Sequence, residues 1–172
     1  MCIKLSAKGG ALVQMKYNYR VNFVKGSAEK WDEYVKIFDN SAFYDQYLKG
    51  TENLKTWAYA PLKKGNVIVA ETEKGEPVGL MVYDMNGMYG GFPYLSLIGV
   101  KEGFRGKGIG DRLIDIFVET SKQLGYEKAY LTVSEYNPRA KSFFQKKGFK
   151  PLLIVPGLLK GGVGEWLLMK EL

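Results

Sequence analysis

The stretch from Tyr94 to Ile116, Y-L-S-L-I-G-V-K-E-G-F-R-G-K-G-I-G-D-R-L-I-D-I, most narrows what this chain can fold into. Tyr94 to Val100 is an apolar run and predicts a buried strand. A short turn through Lys101 to Phe104 leads into Arg105-Gly106-Lys107-Gly108-Ile109-Gly110. Apolar residues then recur at Ile109, Leu113, Ile116, Phe117 and Leu124, the spacing of one helix face. Strand, glycine-rich turn and helix start together make a site for an anion. First-turn N–H groups lack intrahelical partners, and the helix dipole is positive at that end. Glycine lets the backbone approach the anion with no Cβ in the way. The expected ligand is a phosphate.

Spacing decides which phosphate loop this is. A dinucleotide fingerprint needs G-x-G-x-x-G after the first strand of its unit, whereas the glycines here stand at 106, 108 and 110, past the middle of the chain. A P-loop needs a hydroxyl residue after its lysine, and Gly108 follows Lys107. Arg105 to Gly110 reads R-x-x-G-x-G. It resembles the acetyl-CoA pyrophosphate loop of the GNAT (Gcn5-related) N-acetyltransferase family. Downstream, Lys128 to Val133 alternates as a strand. Asn137 to Phe149, N-P-R-A-K-S-F-F-Q-K-K-G-F, then supplies an N-cap, a first-position proline, an apolar face of Ala140, Phe143 and Phe144, and a terminating Gly148. This segment is similar to the family's N-x-x-A-x-x-(L/F)-Y-x-x-x-G-F. The order of all these pieces is far more specific than any one of them. The resemblance is close over 94–150 and rests on element order elsewhere.

The resemblance implies an α/β single-domain GNAT (acyl-CoA N-acyltransferase) fold, with a mixed, mostly antiparallel sheet flanked by helices and opened between two central strands. It implies direct transfer of an acetyl group from acetyl-CoA, as cosubstrate, to a primary amine of a small molecule or peptide. Backbone groups near Ile98 and Val100 would hold the pantetheine and polarise the thioester. Amides of Arg105, Gly106, Lys107, Gly108, Ile109, Gly110 and Asp111 would take the pyrophosphate. Asn137, Ala140, Phe143 and Phe144 would line the other wall, with Asn137 also counted among the catalytic residues.

Two departures from the family pattern carry chemical weight. Phe144 stands where the family often has the tyrosine that protonates the leaving thiolate, and phenylalanine has no proton to give. A positioned general acid is worth ~10²–10⁴ in rate, so its loss weakens catalysis without abolishing it. Tyr136, Tyr94 or water are the alternative donors. A catalytically weak, CoA-binding GNAT-like module is therefore the alternative reading. Asp111, where small or basic residues are common, suits the helix dipole but repels a nearby phosphate. For deprotonating the acceptor ammonium, Tyr94 and Glu135 are the base or relay candidates; a solvated loop acid is the competing reading of Glu135.

The chain has no histidine, which removes every histidine-based triad, zinc site and general base. No metal is expected. The one cysteine, Cys2, allows no disulfide within the chain and fits the cytoplasm. Net charge is +7, and residues 101–150 supply +5 of it, with eleven Lys/Arg against six Asp/Glu. That patch suits the phosphates of CoA; no nucleic-acid-binding motif accompanies it. No run is long enough for a membrane span. Dimers are common in the family, so a homodimer is one expected assembly.

The remaining elements follow in order. Residues 1–14 are expected to be a disordered leader, with Met15 a second candidate start and 15–172 the acetyltransferase domain. Tyr17 to Val24 predicts a strand. Ser27 caps a helix carrying Trp31, Tyr34, Val35 and Phe38. Phe43, Tyr44, Tyr47, Trp57 and Tyr59 fall where the family borders its acceptor, and packing is the favoured reading. Val67 to Glu71 and Val78 to Tyr83 make a hairpin. Asn86-Gly87 and Gly90-Gly91 read as loop. Leu152 to Val155 and Gly164 to Met169 read as the last strands.

Overall fold

The computed structural model describes residues 12–14, 20–41, 44–48 and 60–172. The fold is α/β, with a mixed, mostly antiparallel set of strands flanked by helices. The chain gathers into two compact units, Met1–Tyr83 with Leu97–Asp115, and Asp84–Ser96 with Ile116–Leu172.

In the first unit the order is β1 (Leu12–Gln14), β2 (Arg20–Lys25), β3 (Val67–Thr72) and β4 (Pro77–Met88), each antiparallel to the next. β1 lies inside the stretch read as a leader. β2 covers the described part of the strand expected over Tyr17 to Val24, and residues 17–19 lie outside the described ones. Val67, Val69, Leu80 and Val82 share one face, because β3 and β4 pair Val67 with Val82 and Val69 with Leu80. Trp31, Tyr34, Ile37, Phe38, Leu62 and Leu97 close over that face as the core. The helical segment is compound: the Ser27 hydroxyl accepts from the N–H of Glu29, a 3₁₀ turn runs Ala28–Lys30, α1 spans Trp31–Val35, and a second 3₁₀ turn spans Lys36–Phe38. Tyr47 is buried and Tyr44 packs against the core, so these aromatics serve packing. Phe43, Trp57 and Tyr59 lie outside the described residues.

The opposite face of β3 and β4 is shaped by an absence. Ala70 pairs with Gly79, and a Cβ built on Gly79 would stand 2.8 Å from Ile109 Cγ2 and 3.2 Å from the Ala70 Cβ. The first turns of α2 (Ile109–Gln123) therefore rest directly on the strand backbone, with Ile109 and Leu113 buried. Gly99, on β5 (Phe92–Val100), lies likewise against the Phe38 ring.

In the second unit the order is β5, β6 (Lys128–Ser134), β8 (Gly164–Glu171) and β7 (Lys150–Pro156). β5 and β6 are parallel through Tyr94–Tyr130 and Leu95–Leu131; the other neighbours are antiparallel. β4 runs on through Met88, so Asn86-Gly87 lies within the strand and not in a loop. The reason is steric: a Cβ on Gly87 would meet the Tyr94 and Asp84 Cβ atoms at 2.9 and 3.1 Å, so this glycine permits close packing rather than a turn. The reversal comes at Tyr89-Gly90, both at positive φ, as a two-residue hairpin turn requires. α3 (Pro138–Lys146) follows β6.

The Gly79 contact gives a direct test. Gly79→Val should destabilise the protein by about 1–3 kcal/mol through overpacking against Ile109, read as a lower urea midpoint. Gly103→Ala, where an added Cβ meets nothing within 4 Å, should change stability by no more than about 0.5 kcal/mol.

Candidate active site

The anion loop belongs to the first unit. Along β5, Leu97 and Gly99 face the α1 core, so Ile98 and Val100 project from the other face, half-buried. The strand ends where the Lys101 N–H donates to the Val78 carbonyl at 2.9 Å. A 3₁₀ turn over Glu102–Phe104 follows. Arg105 Nε then donates back to the Val100 carbonyl at 2.9 Å, bracing the loop from within by its longest side chain. Gly106 and Gly108 take φ of +75° and +82°, and a Cβ on Gly106 would meet nothing within 4 Å. Between them, the Lys107 ammonium sits 5.0 Å from the Phe104 ring centroid.

The first helical bond of α2 closes from the Arg112 N–H to the Gly108 carbonyl at 3.0 Å. The N–H groups of Ile109, Gly110 and Asp111 precede it, at the positive end of a 15-residue helix. Asp111 is exposed in that first turn. A strand end, two left-handed glycines and a buried Ile109 thus present backbone donors in a form that fits a pyrophosphate.

The second unit carries the remaining candidates. Asn137 Oδ1 accepts from the Ala140 N–H at 3.0 Å, the cap read from sequence. The helix closes as a Schellman motif: the Phe149 N–H donates to the Phe144 carbonyl at 3.0 Å and the Gly148 N–H to the Gln145 carbonyl at 2.9 Å, with Gly148 at φ +86°. The hydrophobic contact of that motif is the edge-on pair Phe144–Phe149, 6.1 Å between centroids, and Phe143 stacks edge-on at 5.3 Å. Phe144 is therefore a buried ring of the helix cap, while Phe143 and Ala140 are half-buried.

Glu135 is exposed, yet its carboxylate accepts from the Gly164 N–H at 2.9 Å while its own N–H donates to the Gly164 carbonyl at 2.9 Å. It closes the end of β6 onto the start of β8. Tyr136 is exposed beside it. Tyr94, from β5, is hydrogen-bonded to Thr132 of β6, hydroxyl to hydroxyl, at 2.7 Å. Burial pushes the Tyr94 phenol above its ordinary value; the Thr132 bond draws it down, and the negative charge of Glu165 adds to the rise. Tyr94 thus holds its proton at neutral pH.

Two of these groups were missed by the sequence reading. Thr132 was seen only as the polar half of an alternating strand. Glu165, 1% exposed, was not singled out within the strand read over Gly164 to Met169. It pairs with Ser134 in the β6–β8 register, so it projects from the same face as Thr132. Ile98, Val100 and Arg105 to Asp111 lie together in one unit; Tyr94, Glu135, Asn137, Ala140, Phe143 and Phe144 lie in the other.

Burial also raises the phenols of Tyr34 and Tyr83. The native state therefore keeps protons that the unfolded chain releases near pH 10.0. Stability from this source is complete below that pH and is lost above it as the phenols ionise. Urea midpoints should fall through the alkaline range, and Tyr94→Phe should make the fall shallower.

Comparison with known proteins meets this geometry. The model of the acetyltransferase (GNAT) family matches residues 30–149. YobR of Bacillus subtilis (strain 168), an uncharacterized N-acetyltransferase, is 42% identical over 64 residues, 37% of this chain and 25% of YobR, so the match spans a quarter of that relative. A GNAT acetyltransferase from Bacillus cereus ATCC 10987 superposes with TM-score 0.68 at 21% identity, over 88% of this chain and 96% of that one. Ard1 from Thermoplasma volcanium gives 0.71 at 18%, over 88% and 97%. Arabidopsis thaliana Naa50, solved with the bisubstrate analogue CoA-Ac-MVNAL, gives 0.69 at 18%, over 88% and 99%. These likenesses show the fold. The family match spans more than half of the chain and includes both the R-x-x-G-x-G loop and the Asn137–Phe149 segment, so the chain belongs to the GNAT acetyltransferase family.

Proposed function

We propose that this chain is an acetyl-CoA-dependent N-acetyltransferase acting directly on a primary amine of a small molecule or peptide in the cytoplasm. The observation that carries the proposal is the loop from Arg105 to Gly110, whose two left-handed glycines lead into the start of α2. Backbone N–H groups from Gly106 to Asp111 bind the pyrophosphate. Arg105 acts from behind, holding the loop to Val100. Ile98 and Val100 offer strand backbone to the pantetheine. Acetyl-CoA supplies an activated acetyl thioester.

Proton handling falls to the second unit. Tyr94, protonated at neutral pH and coupled to Thr132, fits a proton donor or relay to the leaving thiolate better than a base. Glu135 is the proposed proton acceptor for the amine, with its carboxylate oriented by the Gly164 N–H. Asn137 positions α3 by capping it, with Ala140 and Phe143 beside it.

Phe144 favours one rival, a CoA-binding module with weak turnover. The ring is 5% exposed and closes the helix cap, so the position is built for packing rather than proton transfer.

The loop assignment is tested by a pair of variants. Gly108→Ala and Gly108→Asp share the strain of a side chain at φ +82°, a cost of about 1–2 kcal/mol. Only aspartate adds a charge against the pyrophosphate, so it should lose far more acetyl-CoA affinity than alanine does. Equal affinities would remove the loop from the site. In the wild type, acetyl-CoA at 100 times its dissociation constant should add ~2.7 kcal/mol, a rise of roughly 5–11 °C in Tm. Tyr94→Phe should cut kcat by ~10²–10⁴ with acetyl-CoA binding intact. Saturable binding without CoA release, across a panel of amines, would favour the module instead.

A further inference from the structure

α3 covers one face of β6, β8 and β7 and leaves the other open. Lys141 of the helix sits 3.2 Å from the centroid of the Trp166 ring, and Lys170 Nζ donates at 2.8 Å to the carbonyl of Lys147, just past the helix end. Trp166 lies opposite Val133 and Lys170 opposite Ala129, so this is the face of the buried Ala129, Leu131 and Val133. Ile154, opposite Trp166, belongs to it as well.

The open face carries Tyr94 and the Thr132 hydroxyl to which it is bonded. Three rows of paired residues cross it: Tyr130–Met169–Lys150, Thr132–Leu167–Leu153 and Ser134–Glu165–Val155. The middle row starts at the partner of the Tyr94 phenol and continues through two leucines. Neighbouring strands lie about 4.8 Å apart, so Leu167 stands one spacing and Leu153 two spacings from Thr132. Leu153 is 49% exposed, and Leu167, Met169 and Val155 are half-buried. Folding of the chain therefore leaves these leucines in contact with water, in line with the group assigned to proton transfer.

We propose that the acceptor bears an apolar group on the carbon beside its amine, and that Leu167, Leu153 and Val155 form the shelf on which that group lies. This assignment rests on acetyl transfer at Tyr94, since the phenol marks where the amine has to arrive.

Charge on the same face selects the occupant. Across the three rows the one acid is Glu165, 1% exposed, and the one cation is Lys150, exposed at the outer edge. Glu165 lies in the row beside the leucines. Glu135 follows Ser134 at the end of β6, its carboxylate held by the Gly164 N–H. A single ammonium is thus drawn to this end of the face. A second positive charge on the acceptor would rest on leucine or methionine, or meet Lys150, and would lose hydration with no partner in return. An aliphatic group in the same place instead takes leucine surface out of water. The amide of an aliphatic amino acid fits this arrangement, and a polyamine does not.

Leucinamide and glycinamide present the same ammonium and amide and differ only by an isobutyl group. With acetyl-CoA saturating, leucinamide should show a kcat/KM at least ~10-fold above glycinamide, and spermidine should fall below leucinamide. Leu153→Ser should bring the leucinamide-to-glycinamide ratio down toward one. Ile154→Ser, at the next residue but on the α3 face and 39% exposed, should leave the ratio as in the wild type; a Tm for each variant verifies its folding. Binding is read apart from turnover by calorimetric titration of the two amides onto the chain with CoA present. Tighter binding of leucinamide with no amine acetylated would remove acetyl transfer and keep the shelf. Acetylation with equal kcat/KM for the two amides would keep acetyl transfer, overturn the shelf and leave those leucines to a partner other than the acceptor. Equal binding of the two amides overturns it whether or not the chain turns over. So does a preference for spermidine, a leucinamide preference that Leu153→Ser leaves intact, or one that Ile154→Ser abolishes to the same degree.

Discussion

The contact between Ile109 and the bare backbone at Gly79 governs the position of everything chemically interesting in the first unit. Ala70 and Gly79 lie opposite one another on β3 and β4, and together they make a shallow floor. Ile109 drops into that floor as the first residue of α2. It stands between Gly108 and Gly110, so fixing its side chain also fixes the neighbouring amides. At the other end of the loop, Arg105 is tied to the carbonyl of Val100. Between these two anchors the chain has room for two left-handed glycines and one lysine. The geometry of this candidate anion loop is thus set by packing below it as much as by its own hydrogen-bonding groups.

How legible this was in the sequence depended on the range of the interactions. The loop and the Asn137 cap are local: glycine and cap spacing mark a turn into a helix, the family resemblance says which loop it is, and Gly148 announces its own left-handed turn. The hairpin of Asp84 to Ser96 misled because Asn-Gly is a turn signal whose meaning rests on its neighbours. Gly87 is small to admit Tyr94 and Asp84, and the turn falls at Tyr89-Gly90 instead. Thr132 and Glu165 were beyond reach for a different reason. Their significance lies in what strand pairing brings beside Tyr94, and no pattern in K-A-Y-L-T-V or G-E-W-L-L-M encodes a partner tens of residues away. The helix of residues 28–38 was legible as an apolar face, though not as a chain of α and 3₁₀ turns.

The second unit shows one residue type serving two masters. Phe144 sits where the family often has a phenol, and here its ring joins Phe149 to seal the end of α3. A hydroxyl pair of the unit lies elsewhere, at Tyr94 and Thr132, and the buried Glu165 charge acts on the Tyr94 phenol. A buried carboxylate is costly to keep in a strand that apolar residues would fill more stably. Its presence on the Tyr94 face ties the electrostatics of that phenol to the last strand of the fold.

The division into two units has a further consequence for recombination. The chain passes between them after Tyr83, after Ser96 and after Asp115, and each passage falls inside a continuous element, namely β4, β5 and α2. No loop can be cut to exchange one unit with that of a relative. A chimaera must instead join two parents in the middle of a strand or helix, where register and packing have to match residue for residue. Either unit is therefore more readily altered by changing individual side chains than by trading it whole.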